Sequence, residues 1–133
     1  MEPDLQRKVD IIRQECVGVN SILVSDREGV EMISSPSDYL SDNTTRQNAQ
    51  IASTIFSLTH EQCDKLESFG STRYLISEFG EHDMILQGNF PPMVITIRAD
   101  KRKTGEANLV CCLGRVEGLV SSLREGVEAV QNV

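Results

Sequence analysis

The stretch Val19 to Ile33 constrains the fold more than any other part of the chain, because it reads as one complete β-hairpin. Ile22, Leu23 and Val24 form a short run rich in β-branched residues, and Val30, Met32 and Ile33 supply the second arm. Between the arms, Asp26 is placed to accept local backbone hydrogen bonds, and Gly29 can take the positive φ that a type I turn with a G1 bulge requires. The hairpin commits the chain to an antiparallel sheet. It brings no nucleophile, metal set or phosphate cradle with it.

Helical spacing precedes the hairpin: Leu5, Val9 and Ile12, with Ile11 beside them, lie between Met1 and Glu15, and Pro3 sits where a first-turn proline is tolerated. After it, Ser34 to Thr44 is rich in Ser, Pro, Asp and Asn and reads as a loop ending in an N-cap, Asn43 or Thr44. A second helix is predicted from about Thr44 to Leu66, with Ala49, Ile51, Ala52, Ile55, Phe56, Leu58, Cys63 and Leu66 as its apolar set. At about 100° per residue these cover an arc of roughly 180°, with Ile51 and Leu58 on one edge and Ala49, Phe56 and Cys63 towards the other. One sheet face needs less than that. The surplus edge, Ile51, Ile55 and Leu58, is therefore a candidate contact with a second chain.

Phe69-Gly70-Ser71 stops this helix, and three strand-like runs follow at Thr72 to Glu78, Asp83 to Gln87 and Met93 to Arg98. Turn residues link them, so consecutive antiparallel pairing is the simple topology, and Pro91 and Pro92, which cannot donate to a ladder, fall ahead of the last strand. Five strands result. From Ala107 a third helix carries Leu109, Leu113, Val116, Val120, Leu123, Val127 and Val130 in alternating steps of four and three, read here as a stripe along the domain's own sheet. Gly114 and Gly118, at roughly 1 kcal/mol each in helix propensity, point to a close backbone contact on that helix.

The length fits one domain, residues 1–133, able to bury roughly two-thirds of its unfolded surface. With 13 cationic against 20 acidic side chains the net charge is −7, which repels nucleic-acid phosphates and anionic lipid, and aromatics at 5% with no Trp leave little for stacking on bases. Protein partners are favoured over nucleic acid. No run approaches the roughly 20 apolar residues of a membrane span, and there is no Met-Gly start for myristoylation, so direct membrane insertion is not expected. Cys16, Cys63, Cys111 and Cys112 read as reduced cytoplasmic thiols buried in apolar surroundings, in the absence of a signal peptide.

Chemistry-bearing constellations are weak. His60-x-x-Cys63 has ligand-like spacing, but Cys111 and Cys112 are adjacent and cannot both face one metal from a regular helix, so no zinc site is expected. Neither histidine stands in a recognisable relation to a cysteine, which disfavours a thiol nucleophile. Phosphate-binding glycine loops are absent. Asp26 and Glu28 read as turn residues, and Lys101-Arg102-Lys103 as a solvated loop. No cofactor is predicted and no enzyme.

The order helix, hairpin, helix, three antiparallel strands, helix resembles the roadblock-type dynein light chain superfamily, and within it the MAP-kinase scaffold subunits of the Ragulator complex. Ile22-Leu23-Val24-Ser25-Asp26-Arg27-Glu28-Gly29-Val30 carries the likeness, with Pro91 to Ile97 and the Thr104-Gly105 to Leu109 entry into the final helix. The resemblance implies an α+β fold, a roadblock-like α/β sandwich whose five-stranded antiparallel sheet has the middle helix on one face and two helices on the other. It implies side-by-side pairing with a second roadblock-domain subunit through Ile51, Ile55 and Leu58 of the middle helix and Arg73, Tyr74, Leu75, Ile76 and Ser77 of the following strand, by β-augmentation. The hairpin arms would lie away from that edge. Also implied are a non-catalytic adaptor, a lipidated membrane-anchoring subunit that holds it on late endosomes and lysosomes, and Rag GTPases and MAP kinases as further partners in TOR and MAP-kinase signalling. The alternative within the superfamily is a homodimer that regulates a small GTPase or serves as a dynein light chain.

Overall fold

Ile22 and Val24 stand opposite Ile97 and Ile95 across one pair of strands, and that register organises the molecule. A computed structural model describes residues 3–131, with the side chains of the last helix described as far as Ser121. The elements run α1 (Pro3–Glu15), β1 (Val19–Asp26), β2 (Glu31–Ser35), a short 3-10 turn (Tyr39–Ser41), α2 (Asn43–Cys63), β3 (Tyr74–Phe79), β4 (Asp83–Phe90), β5 (Met93–Asp100) and α3 (Glu106–Gln131). The strands form one sheet in the order β2-β1-β5-β4-β3, with every neighbouring pair antiparallel. The hairpin thus occupies one side of the sheet, and β3 is the opposite edge.

The hairpin turn is built as its residues dictate. Gly29 N donates to Asp26 O and Asp26 N to Val30 O, both at 3.1 Å, while Asp26 Oδ1 accepts from the backbone N–H groups of Glu28 and Val30 at 2.9 Å. Gly29 has φ +87°, and a Cβ there would also lie 3.1 Å from Ser53 Oγ of α2, so glycine is needed both for the turn and for the packing above it.

Two helix boundaries differ from expectation. The N-cap of α2 is Asp42, not Asn43 or Thr44: its carboxylate accepts from Thr45 N at 3.0 Å, three residues in, where the first orphan donors lie. The helix stops at Cys63, and Leu66 falls in the following turn, where it is exposed, as is Phe69. In α3 the apolar stripe holds, with Leu109, Leu113, Val116 and Val120 buried; Leu123, Val127 and Val130 lie outside the described side chains. Gly114 and Gly118 make no close approach, since a Cβ on either would meet open space. The glycine that packs tightly against α3 is Gly88 on β4, where a Cβ would fall 2.6 Å from Leu113 Cδ1. Propensity flags a costly glycine; only the tertiary neighbours say which one is required.

Strand alternation divides the burial between two faces. On one face Ile22, Val24, Met84, Leu86, Ile95 and Ile97 pack with Val9 and Ile12 of α1 and Leu109, Cys112, Leu113, Val116 and Val120 of α3. Full burial contributes about 1.5–3 kcal/mol for each large aliphatic side chain, so this layer dominates stability. On the other face, among the described residues, α2 lies over a smaller set that includes Leu23 and Val94, with its own Phe56 fully buried and Tyr39 of the 3-10 turn beside it.

Candidate docking surface

Of the residues of α2, Ser53, Phe56 and His60 are buried, which defines one stripe of the helix facing the sheet. Gln87 Nε2 of β4 donates to Ala52 O at 2.8 Å, and Ser57 Oγ donates to Arg27 O at 3.4 Å, fixing the helix over the sheet and the hairpin turn. His60 stacks on Phe56 with ring centroids 5.9 Å apart, and its Nε2 lies 3.3 Å from Asp64 Oδ2 while the buried Nδ1 has no partner. Roughly 165° around the same helix, by its 100° step, lies a second apolar stripe that the sheet does not cover. Ile51 is 57% exposed, Ile55 48% and Leu58 57%.

Beside that stripe runs the free edge of the sheet. β3 pairs with β4 alone, so among the described residues its outer backbone groups face no strand. Leu75 stands opposite Gln87 and Ser77 opposite Ile85, which puts both on the α2 face, and Phe79 follows two residues on, 51% exposed. Tyr74 and Ile76 point the other way, and Ile76 packs against the core under α1 and α3. Arg73 precedes the strand, and its carbonyl accepts from Asn89 N at 2.8 Å. The eight residues singled out from the sequence are therefore divided. Ile51, Ile55, Leu58, Leu75 and Ser77 share one surface, Tyr74 and Ile76 belong to the opposite face, and Arg73 lies at the end of the edge.

A cleft of about 310 Å³ opens between the two elements, with Ile51 and Ile55 on one wall and Phe79 and Ile85 on the other. Arg98 and Asp83 bridge its floor, Nη2 to Oδ1 at 3.1 Å, and the hydrogen bond to Asp83 raises the already high pKa of the guanidinium, keeping it charged. Tyr39 closes one end. Sequence reading missed Phe79, Ile85, Arg98, Asp83 and Tyr39 as part of this surface. For Phe79 the signal was present, since Leu75, Ser77 and Phe79 are spaced by two and must share a face.

Elsewhere the titratable groups serve the fold. Cys112 is fully buried; burial first, and the neighbouring Cys16 thiol second, push its pKa far above the ordinary thiol range. Contrary to the uniform burial expected for the cysteines, Cys63 is only partly buried and Cys111 is exposed on α3. Among the described residues, no group of three or more His, Cys, Asp or Glu is placed to hold a metal ion, and no helix is long and apolar enough to cross a membrane. What the surface offers chemically is apolar contact area and unpaired strand backbone, the components of β-augmentation with helix packing.

A five-stranded antiparallel sheet with α2 on one face and α1 and α3 on the other defines the roadblock-type α/β sandwich. The same architecture is found in Myxococcus xanthus MglB (TM-score 0.68, 15% identity, covering 96% of this chain and 97% of that one) and in the gliding protein MglB from Thermus thermophilus (0.71, 11%, 95% and 95%). A roadblock/LC7 domain from Streptomyces avermitilis is also similar (0.66, 14%, 90% and 97%). The chain belongs to the family described as mitogen-activated protein kinase kinase 1 interacting, which it matches over residues 3–131. No individual curated protein matches it.

Proposed function

We propose that this chain is a non-catalytic adaptor subunit that pairs side by side with a second roadblock-domain subunit through α2 and the β3 edge. The observation that carries the reading is the exposed stripe Ile51, Ile55 and Leu58 lying next to a strand edge with no neighbour. An apolar patch joined to unpaired backbone is a costly surface to leave in water, and a partner's helix and strand would satisfy both halves at once. Family membership supports a partner in MAP-kinase signalling. In the finer form of the proposal, the pair sits in a Ragulator-like complex, held at late endosomes and lysosomes by a lipidated subunit and supporting Rag GTPase and TOR signalling.

Co-expression with a sister roadblock subunit tests the pairing. A 1:1 complex stable through size-exclusion chromatography is expected, and two separately eluting monomers would contradict it. Self-pairing is the competing reading, favoured by the similar structure described as MglB with tetrameric arrangement. Light scattering of the chain alone separates the two, since the heterodimer reading expects a monomer mass and self-pairing a dimer mass.

A further inference from the structure

Lys101, Arg102 and Lys103 set three consecutive cations in a chain of net charge −7, and the residue after them is a hydroxyl, Thr104. No other Ser or Thr in the chain has more than one Lys or Arg among the three residues before it. The segment forms the connection between β5 and α3, where Arg102 and Lys103 are exposed. Gly105 follows, where even a Cβ would meet nothing within 4 Å, while Thr104 is half-buried, with its Cβ and Cγ2 against Gly18 on one side.

The proposed docking surface leaves this cluster unused. Arg102 turns back on Asp100, with Nε 3.0 Å from Oδ1 and Nη2 2.8 Å from Oδ2, and Lys101 Nζ lies 3.6 Å from Glu78. Asp100 is buried and also accepts from the Arg102 backbone N–H at 3.0 Å, so that pair holds the turn together, whereas the longer Lys101–Glu78 contact is the one that yields easily to a better partner. Lys103 forms no salt bridge among the described residues. Thr104 Oγ1 accepts from Asn108 Nδ2 at 2.7 Å, and the same amide reaches Val17 O at 3.1 Å, so a donor already stands at the hydroxyl.

We propose that Thr104 is a phosphorylation site for a kinase with an acidic substrate groove, which reads Lys101, Arg102 and Lys103 at the three positions before the hydroxyl. In the transfer, Thr104 Oγ1 attacks the γ-phosphorus of ATP and the Oγ1–P bond forms. The bond from phosphorus to the β,γ-bridging oxygen breaks, its electron pair leaves on ADP, and the hydroxyl proton passes to the kinase's carboxylate base. The product carries about −1.5 to −2 charges at neutral pH, and Lys103, beside it in the chain and in no salt bridge among the described residues, is the cation to receive it.

The test incubates the full chain with ATP, Mg²⁺ and the catalytic subunit of cyclic-AMP-dependent protein kinase, with an acidophilic kinase in parallel, and maps phosphate by fragment mass spectrometry. One phosphate at Thr104 from the basophilic enzyme is expected, with at least about a tenfold slower initial rate in Lys101→Ala/Arg102→Ala. Phosphorus NMR of the product is expected to show a lower second pKa than a phosphorylated peptide of residues 99–110, moving back up in Lys103→Ala. Phosphate placed elsewhere would overturn the assignment. So would a folded protein left unlabelled while the free peptide is labelled, or an undiminished rate in the double variant.

Discussion

Gln87 Nε2 donates to the carbonyl of Ala52 across 2.8 Å, joining a buried side chain of β4 to the middle of α2. Because α2 is the one long helix described on its face of the sheet, this bond does much to hold it in place. Gln87→Leu removes it without opening a large void, and a loss of about 1 kcal/mol is expected in urea unfolding. Hydrogen exchange is expected to quicken in α2 while the strands under α1 and α3 keep their protection. Unchanged exchange in α2 would show that the bond does not position the helix.

Gly88 and Leu113 are fitted to each other. A Cβ at Gly88 would stand 2.6 Å from Leu113 Cδ1 and 3.3 Å from its Cγ, inside a closed layer. Gly88→Ala is expected to cost about 1–3 kcal/mol by overpacking. Combined with Leu113→Ala, which vacates that space, the double variant should be more stable than the two separate losses add up to, by at least about 0.5 kcal/mol. Strict additivity in thermal denaturation would place the strain elsewhere.

The four thiols should separate by position. Cys111 is exposed and Cys63 partly so, whereas Cys16 and Cys112 are buried and the Cys112 thiol is pushed well above its ordinary range by desolvation. Timed alkylation with iodoacetamide at about pH 8, near the ordinary thiol pKa, read by mass spectrometry, is expected to modify Cys111 first and to reach Cys112 only on unfolding. Early labelling of Cys112 would contradict the packing between α1 and α3.

Features set by local chemistry were legible in the sequence. Asp26 and Gly29 gave the turn because their own backbone and side chain build it, and the arc from Ala49 to Leu66 showed that α2 carries more apolar surface than one sheet face absorbs. Features set by distant neighbours were not. Gly114 and Gly118 drew attention by propensity, yet the glycine pressed against α3 is Gly88, whose reason is a leucine on another element. Reading Arg73 to Ser77 as one block merged two faces that alternation separates, and ending the Thr72 run at Glu78 left out Phe79, the third member of the Leu75, Ser77 and Phe79 row. Asp42 was passed over as N-cap because its neighbours Asn43 and Thr44 are equally capable by type; the choice is made by which backbone N–H groups lie within reach.

Ile55 stands half exposed at the centre of the uncovered stripe, so a charge there should spare the monomer and penalise only pairing. Multi-angle light scattering of the co-expressed pair, wild type against Ile55→Asp, with Leu75→Asp on the facing strand as a second variant, reads this directly. The expected result is a dimer mass for the wild type and monomer masses for both variants, since an unpaired charge at an interface centre costs on the order of several kcal/mol. For Ile55→Asp the unfolding free energy of the isolated chain should shift by no more than about 0.5 kcal/mol. A dimer mass that persists in both variants would contradict pairing through α2 and β3.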